Sequence, residues 1–118
     1  MKKILVVDDV PGNRAIFVGL LEDQYEVLEA ADGHEGLQIA ERESPDLIFL
    51  DVSMPGMSGL ETISELRKHP RLYSVPVIAI TAHSVFSARK AVDLGCNDFL
   101  LKPLMPYKIQ EKIDKWMD

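Results

Sequence analysis

A chain of 118 residues, 47% hydrophobic and 27% charged, has the length and composition of one folded domain, residues 1–118, around a single core. Its net charge of −6 argues against the clustered Lys and Arg that a phosphate backbone or an anionic membrane surface demands, so neither nucleic acid nor membrane is an expected partner. The single cysteine, Cys96, cannot form an internal disulfide and has no zinc-spaced Cys/His companions, which fits a reduced, cytoplasmic setting.

The chain opens on Met1-Lys2-Lys3 ahead of the apolar run Ile4-Leu5-Val6-Val7. A charged start imitates a signal peptide, but this run meets Asp8-Asp9 too early to be an h-region, so it reads as a strand. No later span is long enough to cross a bilayer. Pro11 stands where a first helical turn tolerates proline, and Ile16, Phe17, Val18, Leu20 and Leu21 make the helix behind it apolar over more than one narrow stripe. Tyr25-Glu26-Val27-Leu28-Glu29-Ala30 is a mixed, edge-like strand. Asp32 with Glu35 forms a capping signal ahead of Leu37 and Ala40, and Ser44-Pro45 ends that helix. Leu47-Ile48-Phe49-Leu50 is continuously apolar, a strand covered on both faces.

Ser58-Gly59-Leu60-Glu61 has the S-x-x-E form of a capping box, with Leu60, Ile63 and Leu66 on one helical face. Val77-Ile78-Ala79-Ile80 is the third buried strand, and Gly95 ends a helix running from Ser84 to Leu94. Phe99-Leu100-Leu101 is short and meets Lys102-Pro103 at once, as a second edge strand would. Pro106 starts a last helix whose inward stripe is Ile109, Ile113 and Trp116.

Strand and helix alternate throughout, which predicts an α/β fold with a parallel, doubly wound sheet and helices on both faces. Right-handed crossovers bring every strand's C-terminal end to one rim. There the first strand delivers Asp8 and Asp9, the third Asp51, the fourth Thr81 and the fifth Lys102. In the flavodoxin-like order 2-1-3-4-5 the first and third strands are neighbours at the topological switch point, where such folds place their ligands. Two adjacent acids at the edge of an apolar core repel and lose hydration, so they need compensation. Three converging carboxylates suit a hard divalent cation such as Mg²⁺, which takes oxygen ligands and keeps several waters. With a hydroxyl and an ammonium beside them they are also equipped to receive a phosphoryl group, Asp51 acting as nucleophile to form an acyl phosphate.

At these residues the chain resembles the receiver domains of two-component response regulators, over its whole length. The matching pieces are Val6-Val7-Asp8-Asp9, the run from Asp46 through Asp51 to Gly59, Ile80-Thr81-Ala82, and Asp98 through Lys102-Pro103. The resemblance implies that Asp51 is phosphorylated from a phosphohistidine donor, on a sensor histidine kinase or a histidine phosphotransfer protein, and that a downstream protein reads the result. It implies that Asp9, Asp51 and the backbone carbonyl of Ser53 bind Mg²⁺ directly, with Asp8 acting partly through water. Thr81 and Lys102 would contact the phosphoryl group, Thr81 and Phe99 would form the switch, and the Lys102-Pro103 bond would be cis. Such a protein catalyses its own Mg²⁺-dependent phosphorylation and dephosphorylation and is not otherwise an enzyme. Ser53 and His83 occupy positions that tune dephosphorylation in the family, and Asp9 through Arg14 is closest to receivers of hybrid kinases and stand-alone regulators.

Taken singly, each residue has a plainer reading. Asp9 would serve equally as a helix cap, Asp51, Thr81 or Lys102 as solvated rim residues, Phe99 as core, Cys96 as a small buried hydrophobe, and His34, His69 and His83 as surface residues. Their conjunction on one rim favours the site. A haloacid-dehalogenase-type phosphatase requires an Asp-x-Asp motif on the first strand and late acidic ligands, and Asp51-Val52-Ser53 lacks the second acid. A flavin or nucleotide carrier requires a phosphate-cradling loop where Asp8-Asp9 would repel phosphate. A docking-only receiver would lack an acid or Lys102, and none is missing. With no effector region after residue 118, output is expected through docking, unless the chain is part of a larger protein.

Overall fold

In a computed structural model, which describes residues 1–53, 59–82 and 85–117 apart from the side chains of 85–87, strands and helices alternate strictly. The elements are β1 (Lys3–Val7), α1 (Pro11–Leu21), β2 (Glu26–Ala30), α2 (Gly33–Glu43), β3 (Leu47–Asp51), α3 (Gly59–Lys68), β4 (Val77–Thr81), α4 (Val85–Asp93), β5 (Asp98–Leu101) and α5 (Pro106–Trp116). The five strands form one sheet in the order β2-β1-β3-β4-β5, every pairing parallel. The expected topology is the one observed, with β2 and β5 at the edges.

The central strands are apolar without interruption because successive side chains enter two different cores. Leu5, Val7, Ile48, Leu50, Val77 and Ala79 face α2, α3 and α4, where Ala40, Ile63, Leu66 and Ala91 meet them. Ile4, Val6, Leu47, Phe49, Ile78 and Ile80 face α1 and α5, meeting Phe17, Leu21, Ile109 and Ile113. The rings of Phe17 and Phe49 lie 4.9 Å apart between their centroids.

Helix ends follow the local signals. Pro11 and Pro106 occupy the first turns of α1 and α5. Asp32 caps α2, its Oδ1 accepting from Glu35 N at 2.8 Å, while Glu35 Oε1 accepts from the N–H of Ala31, one residue before the cap. Ser44 closes α2 with φ 50°, and Gly95, at φ +119°, turns the chain after α4. Tyr25 stands just outside β2. Ser58, His83 and Ser84, on which sequence readings rested, lie outside the described residues. Asp9 does not cap α1: the N-cap is Val10, with no side-chain cap, and the N–H of Val10 goes to Asp8 Oδ1 instead.

Candidate functional site

Parallel pairing sets the rim residues in register. The ladder runs one residue past β1, Asp8 N donating to Ala30 O at 3.0 Å, so the Asp8 side chain emerges beside the end of β3. Asp51 and Thr81 are the last residues of β3 and β4, and Lys102 N donates to Thr81 O at 2.9 Å. One carboxylate oxygen from each of Asp8, Asp9 and Asp51 lies within 4.8 Å of the other two. Lys102 Nζ stands 3.2 Å from Asp51 Oδ2, and Ser53 N donates to Asp51 Oδ1 at 2.7 Å. Asp8, Asp51 and Thr81 are buried, whereas Asp9 is exposed. The Lys102-Pro103 bond is cis.

Burial pushes the Asp8 carboxyl above the ordinary carboxylate range; the N–H of Val10 draws it back, Asp51 pushes it up again, and the amide of Asn13 and Lys102 draw it down. Asn13 Nδ2 donates to Asp8 Oδ2 at 3.2 Å, and Arg14 Nη1 donates to the Asp8 carbonyl at 2.6 Å. Sequence reading gave neither residue a role; the available signal was a pair of polar side chains in the first turns of a helix that begins beside two acids. Three carboxylates against one ammonium leave the rim net negative, and a donor set made only of oxygen fits a hard divalent cation such as Mg²⁺.

Phe99 lies on β5, half-buried against the core under α2, α3 and α4, and opposite Ala79 in register. It also lines an open groove of about 310 Å³ with Leu101, Tyr107, Lys108 and Lys112. Residues given no part in the site stay out of it. Cys96 is buried, its Sγ donating to Asp98 O at 3.3 Å, and burial pushes its thiol up to about 11, which keeps it protonated and unreactive. His34 is exposed, and His69 is half-buried with Nε2 3.6 Å from Glu41.

The response regulator receiver domain model matches residues 4–114. A probable transcriptional regulator, ycf27, from Porphyridium aerugineum is 40% identical over 114 residues, 95% of this chain and 46% of that protein. The chain thus spans about half the length of that relative. Among solved structures, the chemotaxis protein CheY4 of Vibrio cholerae superimposes with a TM-score of 0.93 at 31% identity, covering 99% of both chains. The receiver domain of a sensor histidine kinase from Pseudomonas aeruginosa PAO1, with magnesium coordinated in its active-site cleft, gives 0.89 at 32% identity, over 98% of this chain and 96% of that one.

Proposed function

Since the chain belongs to the response regulator receiver domain family, whose members are signalling phosphoacceptors and not classical enzymes, we propose that Asp51 is its phosphoacceptor and that Asp8, Asp9, Asp51 and the Ser53 carbonyl serve a Mg²⁺ ion. The observation that carries this reading is the convergence of three carboxylates within 4.8 Å, one of them held 3.2 Å from Lys102. A bound Mg²⁺ supplies charge neutralisation for the incoming phosphoryl oxygens. An Asp51 oxygen attacks phosphorus as the donor's P–N bond breaks, and the electron pair leaves with the donor imidazole. Lys102 then faces the new phosphoryl oxygens, and the Thr81 hydroxyl supplies a hydrogen bond. The chain thereby promotes its own phosphorylation and its dephosphorylation, in which water attacks phosphorus, the acyl P–O bond breaks and the Asp51 carboxylate and inorganic phosphate are released.

The donor is a sensor histidine kinase or a histidine phosphotransfer protein, and the reader is a downstream protein, in a cytoplasmic setting. Val10, Ile16 and Leu20, exposed just before and along α1, which begins at the rim, support a helical docking partner on that helix. No helix among the described residues is long and apolar enough to cross a membrane.

Incubation with Mg²⁺ and acetyl phosphate, read by intact mass, tests the reading. The wild type gains one phosphoryl group that hydroxylamine removes and that EDTA prevents. A wild type that takes up none from any donor leaves the fold as a docking module only.

A further inference from the structure

We propose that Arg14 is a positioning residue for the cation site, fixing the Asp8–Asp9 peptide so that the exposed Asp9 carboxylate stays aimed at Asp51. The inference rests on the Mg²⁺ reading above. Among the described residues, no group holds the Asp9 carboxylate, although one of its oxygens lies within 4.8 Å of those of Asp8 and Asp51. Its aim therefore depends on its backbone. Asp8 has its own restraints, Val10 N at 2.9 Å and Asn13 Nδ2 at 3.2 Å, which orient its carboxylate but not the peptide that follows.

That peptide is held by Arg14. Nη1 donates to the Asp8 carbonyl at 2.6 Å, and because a peptide is planar, fixing its oxygen fixes the plane that carries the Asp9 Cα. Arg14 is itself fixed from the other side, Nε donating to Glu29 Oε1 at 3.1 Å on edge strand β2. A guanidinium makes both bonds at once through its rigid fork, which a lysine ammonium cannot reproduce. Removing a side chain that orients a metal ligand typically costs about 10–100-fold in metal affinity.

Charge alone predicts the opposite. A cation near three carboxylates competes with Mg²⁺, so if Arg14 acted only through its charge, removing it would tighten binding. Titration of the full chain with Mg²⁺ by calorimetry separates the two, using wild type, Arg14→Ala, Arg14→Lys, Glu29→Gln and Asp51→Asn. Arg14→Ala weakens Mg²⁺ binding about tenfold, Arg14→Lys weakens it despite keeping the charge, and Glu29→Gln shifts it in the same direction. Melts without Mg²⁺ identify any variant that has failed to fold; should Arg14→Ala be one, Arg14→Lys decides, because Glu29→Gln also removes a negative charge whose loss by itself weakens cation binding. Folded Arg14 variants that bind Mg²⁺ as tightly as wild type, or more tightly, overturn the inference while the cation site stands. A wild type that binds no Mg²⁺, or an Asp51→Asn that binds it equally well, removes the site itself and the inference with it.

Discussion

Asp51 is held between attraction and repulsion. Lys102 lies 3.2 Å from it, yet Asp8 and Asp9 both bring a carboxylate oxygen within 4.8 Å, and the site is buried on the Asp8 side. Two unit charges ~5 Å apart at an effective dielectric near 20 interact by roughly 3 kcal/mol before screening, so two repulsions outweigh one attraction. Asp51→Asn is therefore expected to raise the melting temperature in EDTA by the equivalent of about 1–2 kcal/mol. The wild type, but not the variant, should gain on the order of 1.4 kcal/mol at ten times the Mg²⁺ dissociation constant. Thermal melts with and without Mg²⁺ check both; destabilisation by Asp51→Asn in EDTA would contradict a repelling cluster.

Asp98, at the opposite end of β5, behaves in the reverse sense. Burial pushes its carboxyl up, but the Trp116 indole N–H, Lys112 and the Phe99 N–H outweigh burial and hold it below the ordinary range. A carboxyl lowered in the folded state contributes stability above its unfolded pKa near 3.8 and loses it as pH falls through the folded value. Asp98→Asn should lower stability by about 1–2 kcal/mol at pH 7. That gap should close at acid pH, as melts from pH 7 down to 2.5 will show. Asp98 was legible in the sequence only as part of a motif, since its partners on α5 are more than a dozen residues away.

At the scale of elements, the approach of α3 to the end of β3 depends on one missing side chain. A Cβ at Gly59 would collide with the Val52 Cα and the Asp51 carbonyl, backbone atoms that cannot give way, directly behind the proposed phosphoacceptor. Gly19, exposed in the last turn of α1, has nothing within 4 Å of a Cβ. Gly59→Ala should cost more than about 2 kcal/mol, and Gly19→Ala should add about 0.5–1 kcal/mol through helix propensity. Urea titrations of the two variants measure the contrast, and equal effects would contradict it.

The elements themselves were readable because each carried its own signal: uninterrupted apolar runs at Leu47–Leu50 and Val77–Ile80, prolines at helix starts, Gly95 at a helix end. Element ends were less so. Asp51 and Thr81 belong to their strands although polar, because pairing with neighbouring strands, and not apolarity, decides where a strand stops. The role of Arg14 was hidden for a similar reason: one partner, Glu29, meets it only once β2 lies beside β1, and the other, the Asp8 carbonyl, is a backbone group that no side-chain pattern marks.

For the whole molecule, the rim chemistry has to reach a surface. Phosphorylation at Asp51, as proposed, would add up to about two negative charges there, which require new donors. If Thr81 turns its hydroxyl toward them it vacates space behind β4, and the half-buried Phe99 on the adjacent strand can fill it, reshaping the groove it lines with Tyr107 and Lys112. Thr81→Ala should still accept phosphate yet lose most of the shift at Phe99. Backbone NMR of both proteins with and without a phosphoryl mimic tests this, and equal Phe99 shifts would show that the coupling bypasses Thr81.

The central claim is that, of three neighbouring carboxylates, Asp51 alone takes the phosphoryl group. Borohydride reduces an acyl phosphate to the corresponding alcohol, so treating the phosphorylated chain and mapping its peptides by mass marks the acceptor directly. Homoserine at position 51, dependent on Mg²⁺ and absent from Asp51→Asn, is the expected result. Homoserine at position 8 or 9, or a mark that persists in Asp51→Asn, would contradict it.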